Sequence, residues 1–99
     1  MYQDFLIVVP AYNEEKNIGK LLSKLVPKFK NILVVDNNSQ DKTVEEVEKF
    51  PVFCAKHKYN LGKSLSMKTG MNFALIQKKK YIAYLDADGQ HKISNIFFL

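Results

Sequence analysis

Apolar residues in this chain fall in short blocks separated by polar clusters. Phe5-Leu6-Ile7-Val8-Val9 is one continuous block, and Ile32-Leu33-Val34-Val35 is another. Runs this short and this apolar suit strands buried on both faces of a parallel sheet. Between them, Ile18, Leu21, Leu22, Leu25 and Val26 recur at helical spacing and predict an amphipathic helix over residues 14–26. Asn13 is placed to cap it, with Glu14 and Glu15 in its first turn and Pro27 near its end. The pattern then repeats. After the second block, Asn37-Asn38-Ser39-Gln40 is turn chemistry. Ser39 or Asp41 can cap a second helix running to about Lys49, with Val44 and Val47 inward. Residues 51–55 read as a third, weaker strand, and residues 56–61 as a loop. Residues 62–77 predict a helix with Leu65, Met67, Met71, Phe73, Ala74 and Ile76 available for packing. Tyr81–Leu85 is a fourth strand, followed by a loop and an apolar tail over residues 87–99.

Strands alternating with helices imply an α/β domain with a mainly parallel sheet of about four strands and right-handed crossovers. Ligands in such sheets bind beyond the carboxyl ends of the strands. The polar clusters at residues 10–14, 36–41, 60–63 and 86–91 all fall at those ends. That coincidence is the main sign of a functional site.

Composition narrows the class. With 99 residues, 46% hydrophobic and 25% charged, the chain fits one globular domain spanning 1–99. No apolar run approaches the ~20 residues that span a bilayer, and no signal-peptide pattern is visible. A single cysteine, Cys54, excludes an internal disulfide or a cysteine-based zinc site and makes the reducing cytoplasm the default. Cys54 lies inside a strand and reads as inert core. The net charge of +5 suits an anionic ligand, but all 15 basic residues are lysine, so no bidentate arginine clamp on phosphate exists. The lysines are spread along the chain as a solvated surface. Apart from Lys78–Lys80, at a helix end, they form no run, and no basic cluster interleaves with aromatics as nucleic-acid binding requires.

Asp86-Ala87-Asp88 sets two carboxylates at i and i+2 as a strand ends, on one side if the backbone is extended. With Gln90 and His91 they make an oxygen-rich cluster suited to Mg²⁺ or Mn²⁺, and two adjacent acids repel unless a cation neutralises them. The spacing also fits a polar turn with a capping aspartate, which is the commoner use of Asp-x-Asp-Gly. Asp36, at the end of the second block, can accept hydrogen bonds from a base or a ribose, or serve as a turn residue. Asn60-Leu61-Gly62-Lys63-Ser64 matches only the tail of a phosphate-binding P-loop, because His57 stands where the first glycine belongs. Gly62 still opens a helix whose amides can face an anion, with Lys63 adding a point charge. His57 reads as a surface loop residue.

Taken together, these motifs resemble family-2 glycosyltransferases of the GT-A fold, nearest to the polyprenyl- or dolichyl-phosphate mannosyl- and glucosyltransferases. The residues carrying the resemblance are Val8-Val9-Pro10-Ala11-Tyr12-Asn13-Glu14-Glu15, then Val34-Val35-Asp36-Asn37-Asn38-Ser39-Gln40-Asp41-Lys42-Thr43. Asn60-Leu61-Gly62-Lys63, Gly70 with Ala74, and Leu85-Asp86-Ala87-Asp88-Gly89-Gln90-His91 complete it, in family order over about residues 4–91. The resemblance implies a Rossmann-like sheet forming the N-terminal half of a GT-A fold. It implies a nucleotide pocket lined by Pro10, Ala11, Tyr12 and Glu14, with Asp36 on the base and Asp41 supporting the neighbouring turn. Gly62 and Lys63 would lie near the nucleotide, as would Asp86. Asp88 and Gln90, with Asp86, would hold Mg²⁺ or Mn²⁺ on the diphosphate. The implied reaction is inverting sugar transfer from a UDP- or GDP-sugar to a lipid-phosphate or other acceptor.

A complete domain of that family is roughly twice this length, and its second half supplies the acceptor pocket and the general base. The chain is therefore expected to be a truncated donor half, with the catalytic base absent and catalysis by this chain alone in doubt. A catalytically inactive nucleotide-binding or assembly module is the alternative. The missing half would leave the strand Tyr81–Leu85 or the apolar tail exposed, and an exposed edge favours a homodimer or larger assembly. A cytoplasmic location, peripheral to a membrane or free of it, accompanies this reading.

Overall fold

The first apolar block forms β1 (Phe5–Ala11), whose side chains alternate between two buried faces. In the computed structural model, residues 4–87 and the backbone of 93–98 are described. β1 is followed by α1 (Ile18–Leu25), β2 (Ile32–Asp36), α2 (Thr43–Val47), β3 (Phe53–Lys56), α3 (Gly62–Ile76), β4 (Tyr81–Leu85) and β5 (Ile93–Phe98). These five strands make one sheet in the order β3-β2-β1-β4-β5. β1 pairs parallel with β2 (Val9 opposite Val34) and with β4 (Ile7 opposite Ala83), and β2 pairs parallel with β3. β5 runs antiparallel to β4.

One face of the sheet carries Ile7, Val9, Ile32, Val34, Ala83 and Leu85 against Ile18, Leu21, Leu22 and Leu25 of α1 and Val47 of α2. The other carries Leu6, Val8, Leu33, Val35, Ile82 and Tyr84 against α3. Continuous apolar blocks are the consequence of helices covering both faces.

Three expectations are revised and one pair of alternatives is narrowed. The helix predicted from Glu14 begins at Ile18, because Asn13 takes a left-handed conformation (φ 54°) that a helix cap cannot use. The second helix stops at Val47 rather than near Lys49, and Lys42 rather than Ser39 or Asp41 occupies its N-cap position. α3 does not pack through its large side chains. Its buried stripe is Ser66, Gly70 and Ala74, while Met67 and Phe73 are half-buried and Leu65, Met71 and Ile76 are exposed. The helix lies so close to the sheet that a Cβ on Gly70 would stand 2.7 Å from both Val8 γ-carbons. The Tyr84 hydroxyl donates to the Met67 carbonyl at 2.8 Å, tying the same helix to β4. Finally, of the two alternatives for the edge of the sheet, β4 or the apolar tail, it is the tail: it supplies β5, which pairs along β4 and ends the sheet opposite β3.

Candidate functional site

Chain order places β2 and β3 on one side of β1 and β4 on the other. The connections therefore diverge beyond the carboxyl ends of β1 and β4, and a crevice opens there. A cleft of about 360 Å³ occupies this position. Its walls are Pro10, Ala11, Tyr12 and Glu14 after β1, Asn37 after β2, Asn60, Gly62 and Lys63 at the start of α3, and Asp86 and Ala87 after β4.

The first wall is held by an interlock between two loops. The Asn13 amide donates to Ser39 Oγ at 2.8 Å, and the Gln40 amide returns a hydrogen bond to Asn13 Oδ1 at 2.8 Å. The Glu14 amide donates to Thr43 Oγ1 at 2.8 Å, and the Glu15 amide to Asp41 Oδ2 at 3.3 Å. Asp41 Oδ1 accepts from the Thr43 hydroxyl and, at 2.9 Å, from the Thr43 amide. Burial pushes the Asp41 carboxyl pKa up. The hydrogen bonds from Thr43 and from the Glu15 amide outweigh that and hold it below its ordinary value. The residues that read as helix caps thus fasten the β1 loop to the β2 loop.

Asp36 is 2% exposed and lies beneath this interlock rather than on the cleft wall. Both of its oxygens accept from Ser39, one from the hydroxyl and one from the amide at 3.0 Å. The neighbouring Asn37, also buried, is a residue that sequence reasoning passed over as turn chemistry. Its Oδ1 faces His57 Nδ1 at 2.8 Å and accepts from the Leu61 amide at 3.4 Å, while its Nδ2 donates to the Gly62 carbonyl at 3.2 Å. That Nδ2 contact fixes the amide's orientation, so Oδ1 is the atom that faces the imidazole. His57 Nε2 in turn meets Thr69 Oγ1 on α3 at 2.9 Å. The expected surface histidine is instead half-buried and bridges the loop before α3 to the helix itself. No periodic pattern could reveal it, because its partners are distant in sequence and arrive by folding.

Gly62 has φ 83°, a left-handed conformation that favours glycine. Its own amide donates to Asn60 Oδ1 at 3.1 Å. The following Lys63 reaches across the cleft, and its Nζ lies 2.8 Å from Asp86 Oδ1. A cation from another element thus stands beside Asp86. Both side chains are well exposed, so the pair contributes little to stability.

The cleft thus brings together Pro10, Ala11, Tyr12, Glu14, Gly62, Lys63 and Asp86, with Asp36 behind them. Asp88, Gln90 and His91 lie outside the described residues. Among the described residues no group of three or more His, Cys, Asp or Glu side chains converges to hold a metal ion. Nor is any described helix long and apolar enough to cross a membrane. Cys54, half-buried on β3, has its thiol pKa pushed up by burial and by the Asp36 charge.

Comparison with known proteins agrees with this geometry. The chain is 46% identical over 89 residues to an uncharacterized protein of Methanocaldococcus jannaschii, covering 89% of this chain and 37% of that protein. It is 32% identical over 105 residues to a dolichyl-phosphate beta-glucosyltransferase of Trichomonas vaginalis, covering 90% of this chain and 32% of the relative. It therefore spans about a third of the length of these relatives. The fold is shared with glucosyl-3-phosphoglycerate synthase of Mycobacterium tuberculosis, solved with Mn²⁺, UDP-glucose and phosphoglyceric acid. The TM-score is 0.67 at 18% identity, over 85% of this chain and 33% of that one. The family model of glycosyl transferase family 2 matches residues 6–96, nearly the whole chain, and the chain belongs to that family.

Proposed function

We propose that this chain forms the donor-binding part of a glycosyltransferase, taking a UDP- or GDP-sugar with Mg²⁺ or Mn²⁺ for inverting transfer to a lipid-phosphate or other acceptor. The observation that carries the reading is the convergence of the β1 loop, the start of α3 and Asp86 around one cleft at the switch point of the sheet. The synthase of similar fold holds UDP-glucose and Mn²⁺, and the dolichyl-phosphate relative names a lipid-phosphate acceptor.

In this reading the exposed Tyr12 ring, beside Pro10, offers a flat surface for the base. Asp36 acts on the base from behind, through the Ser39 turn that it anchors. Lys63 can exchange its contact with Asp86 for a diphosphate oxygen, keeping one charge-assisted bond throughout. That exchange frees Asp86. An all-oxygen set of Asp86 with Asp88 and Gln90, the last two assigned from the motif alone, suits a hard divalent cation. Such a cation, when bound, neutralises charge on the leaving diphosphate. His57 and Asn37 keep the Asn60 and Gly62 wall in place.

Calorimetric titration with UDP and GDP, each with Mn²⁺ and with EDTA, tests the reading. Metal-dependent binding of one nucleotide, lost in Asp86→Asn and weakened about tenfold or more in Lys63→Ala, is expected. Folded protein that binds neither nucleotide would overturn it. Assay of the matching nucleotide-sugar then separates a transferase from an inactive binding module.

A further inference from the structure

The outer face of α3 fits neither the core nor the cleft. Opposite its buried stripe of Ser66, Gly70 and Ala74, the helix presents Leu65, Lys68, Asn72 and Leu75, with Met71 and Ile76 on the flanks. Leu65 is 44% exposed, Leu75 57% and Ile76 76%. Tyr59 and Leu61, just before the helix, are exposed as well. So much apolar surface on one helix is more than scattered exposure explains.

The charge around it is one-sided. Between Glu48 and Asp86 there is no aspartate or glutamate, while eight of the fifteen lysines fall in that interval. Lys49 pairs with Glu46 and Lys63 with Asp86. Lys56 and Lys58 before the helix, Lys68 on its outer face, and Lys78 and Lys80 after it are all exposed. Exposed apolar side chains on a segment that carries lysines and no acid of its own match the chemistry of an anionic lipid surface. The apolar groups enter the acyl boundary, and the lysine stems lie along it with their ammonium groups among the phosphates. A second copy of this chain is a poorer occupant, because face-to-face packing would set lysine against lysine.

The geometry points to α3 as a membrane-docking helix that seats this domain on an anionic bilayer, peripheral and without insertion of a spanning segment. The inference stands on this surface alone. Joined to the proposed lipid-phosphate acceptor, it sets the cleft beside the bilayer, because Gly62 and Lys63 open the same helix.

Flotation with vesicles tests it without any nucleotide, so its failure is distinct from failure of the donor-site reading. Phosphatidylcholine vesicles are compared with phosphatidylcholine–phosphatidylglycerol vesicles at low and high salt. Binding to the anionic vesicles alone, weakened by salt, is expected. Lys68→Gln should weaken it about fivefold, and Leu75→Ser with Ile76→Ser should abolish it. Lys24→Gln on α1, across the sheet, should leave it within about twofold, showing that location rather than net charge decides. Circular dichroism confirms that each variant is folded, as substitution at exposed positions predicts. No binding to anionic vesicles at low salt overturns the proposal, as does equal binding to both lipids. Loss of self-association rather than of flotation in the Leu75/Ile76 variant also overturns it and assigns the face to a second copy.

Discussion

Replacing Gly70 by alanine isolates the close approach of α3 to the sheet. In a solvated helix interior this change stabilises by about 1 kcal/mol, because alanine has the better helix propensity. Here the added carbon would stand 2.7 Å from Val8 Cγ1, 2.7 Å from Val8 Cγ2 and 3.2 Å from Val8 Cβ. Rotating Val8 about χ1 still leaves one methyl in the way, and Val8 is fully buried. The helix must therefore back away from β1 by several tenths of an ångström. Ser66 and Ala74 lose contact along with it. Overpacking of this kind costs about 1–3 kcal/mol, and involvement of the whole stripe argues for the upper end. After the propensity gain, Gly70→Ala should destabilise by about 2 kcal/mol, lowering Tm by roughly 8–16 °C for a domain of this size. Gly19→Ala in α1 is the matched control, since a Cβ there meets only Glu46 Oε1 at 3.6 Å. It should be neutral or stabilising by up to about 1 kcal/mol. Urea unfolding of both variants reads the difference. A Gly70→Ala protein as stable as the parent would refute the claim that small residues set the helix–sheet distance.

Three further outcomes follow from the site. His57→Ala removes the bridge to Asn37 and Thr69 and should cost about 1–2 kcal/mol in urea unfolding. It should also weaken nucleotide binding by loosening the Gly62 wall, so an unchanged affinity would limit His57 to stability. Asp41 has a folded pKa below its ordinary value, so the unfolded chain binds the proton more tightly and this contribution is present at neutral pH. It is lost as pH falls below about 4, and Asp41→Asn should flatten the acid limb of the stability–pH curve. Cys54, with its thiol pKa raised, should react slowly with iodoacetamide at neutral pH and rapidly once unfolded, as followed by mass spectrometry.

The local pattern of the chain was enough for the class of fold. Continuous blocks such as Ile32–Val35 can be buried only between two helical layers, and helical spacing at Ile18, Leu21 and Leu22 supplies one of them. Parallel pairing then puts the carboxyl ends of β1 to β4 on one side, so Pro10, Tyr12, Gly62, Lys63 and Asp86 could be expected near one another before any coordinates. Tertiary structure alone decided what those residues touch. Hydrophobic periodicity says that a helix has an inner face, but α3 spreads its apolar and polar side chains round the helix with no clear apolar stripe. The distance to Val8 selected the stripe of Ser66, Gly70 and Ala74 over the leucines. Asn13, Ser39 and Asp41 each carry a side chain that can cap a helix or cross to another loop. Only the packing of β1 beside β2 settled that they cross. His57 and Asn37, and Lys63 and Asp86, meet for the same reason: hydrogen bonds and ion pairs depend on positions to within an ångström, and periodicity carries no information at that range.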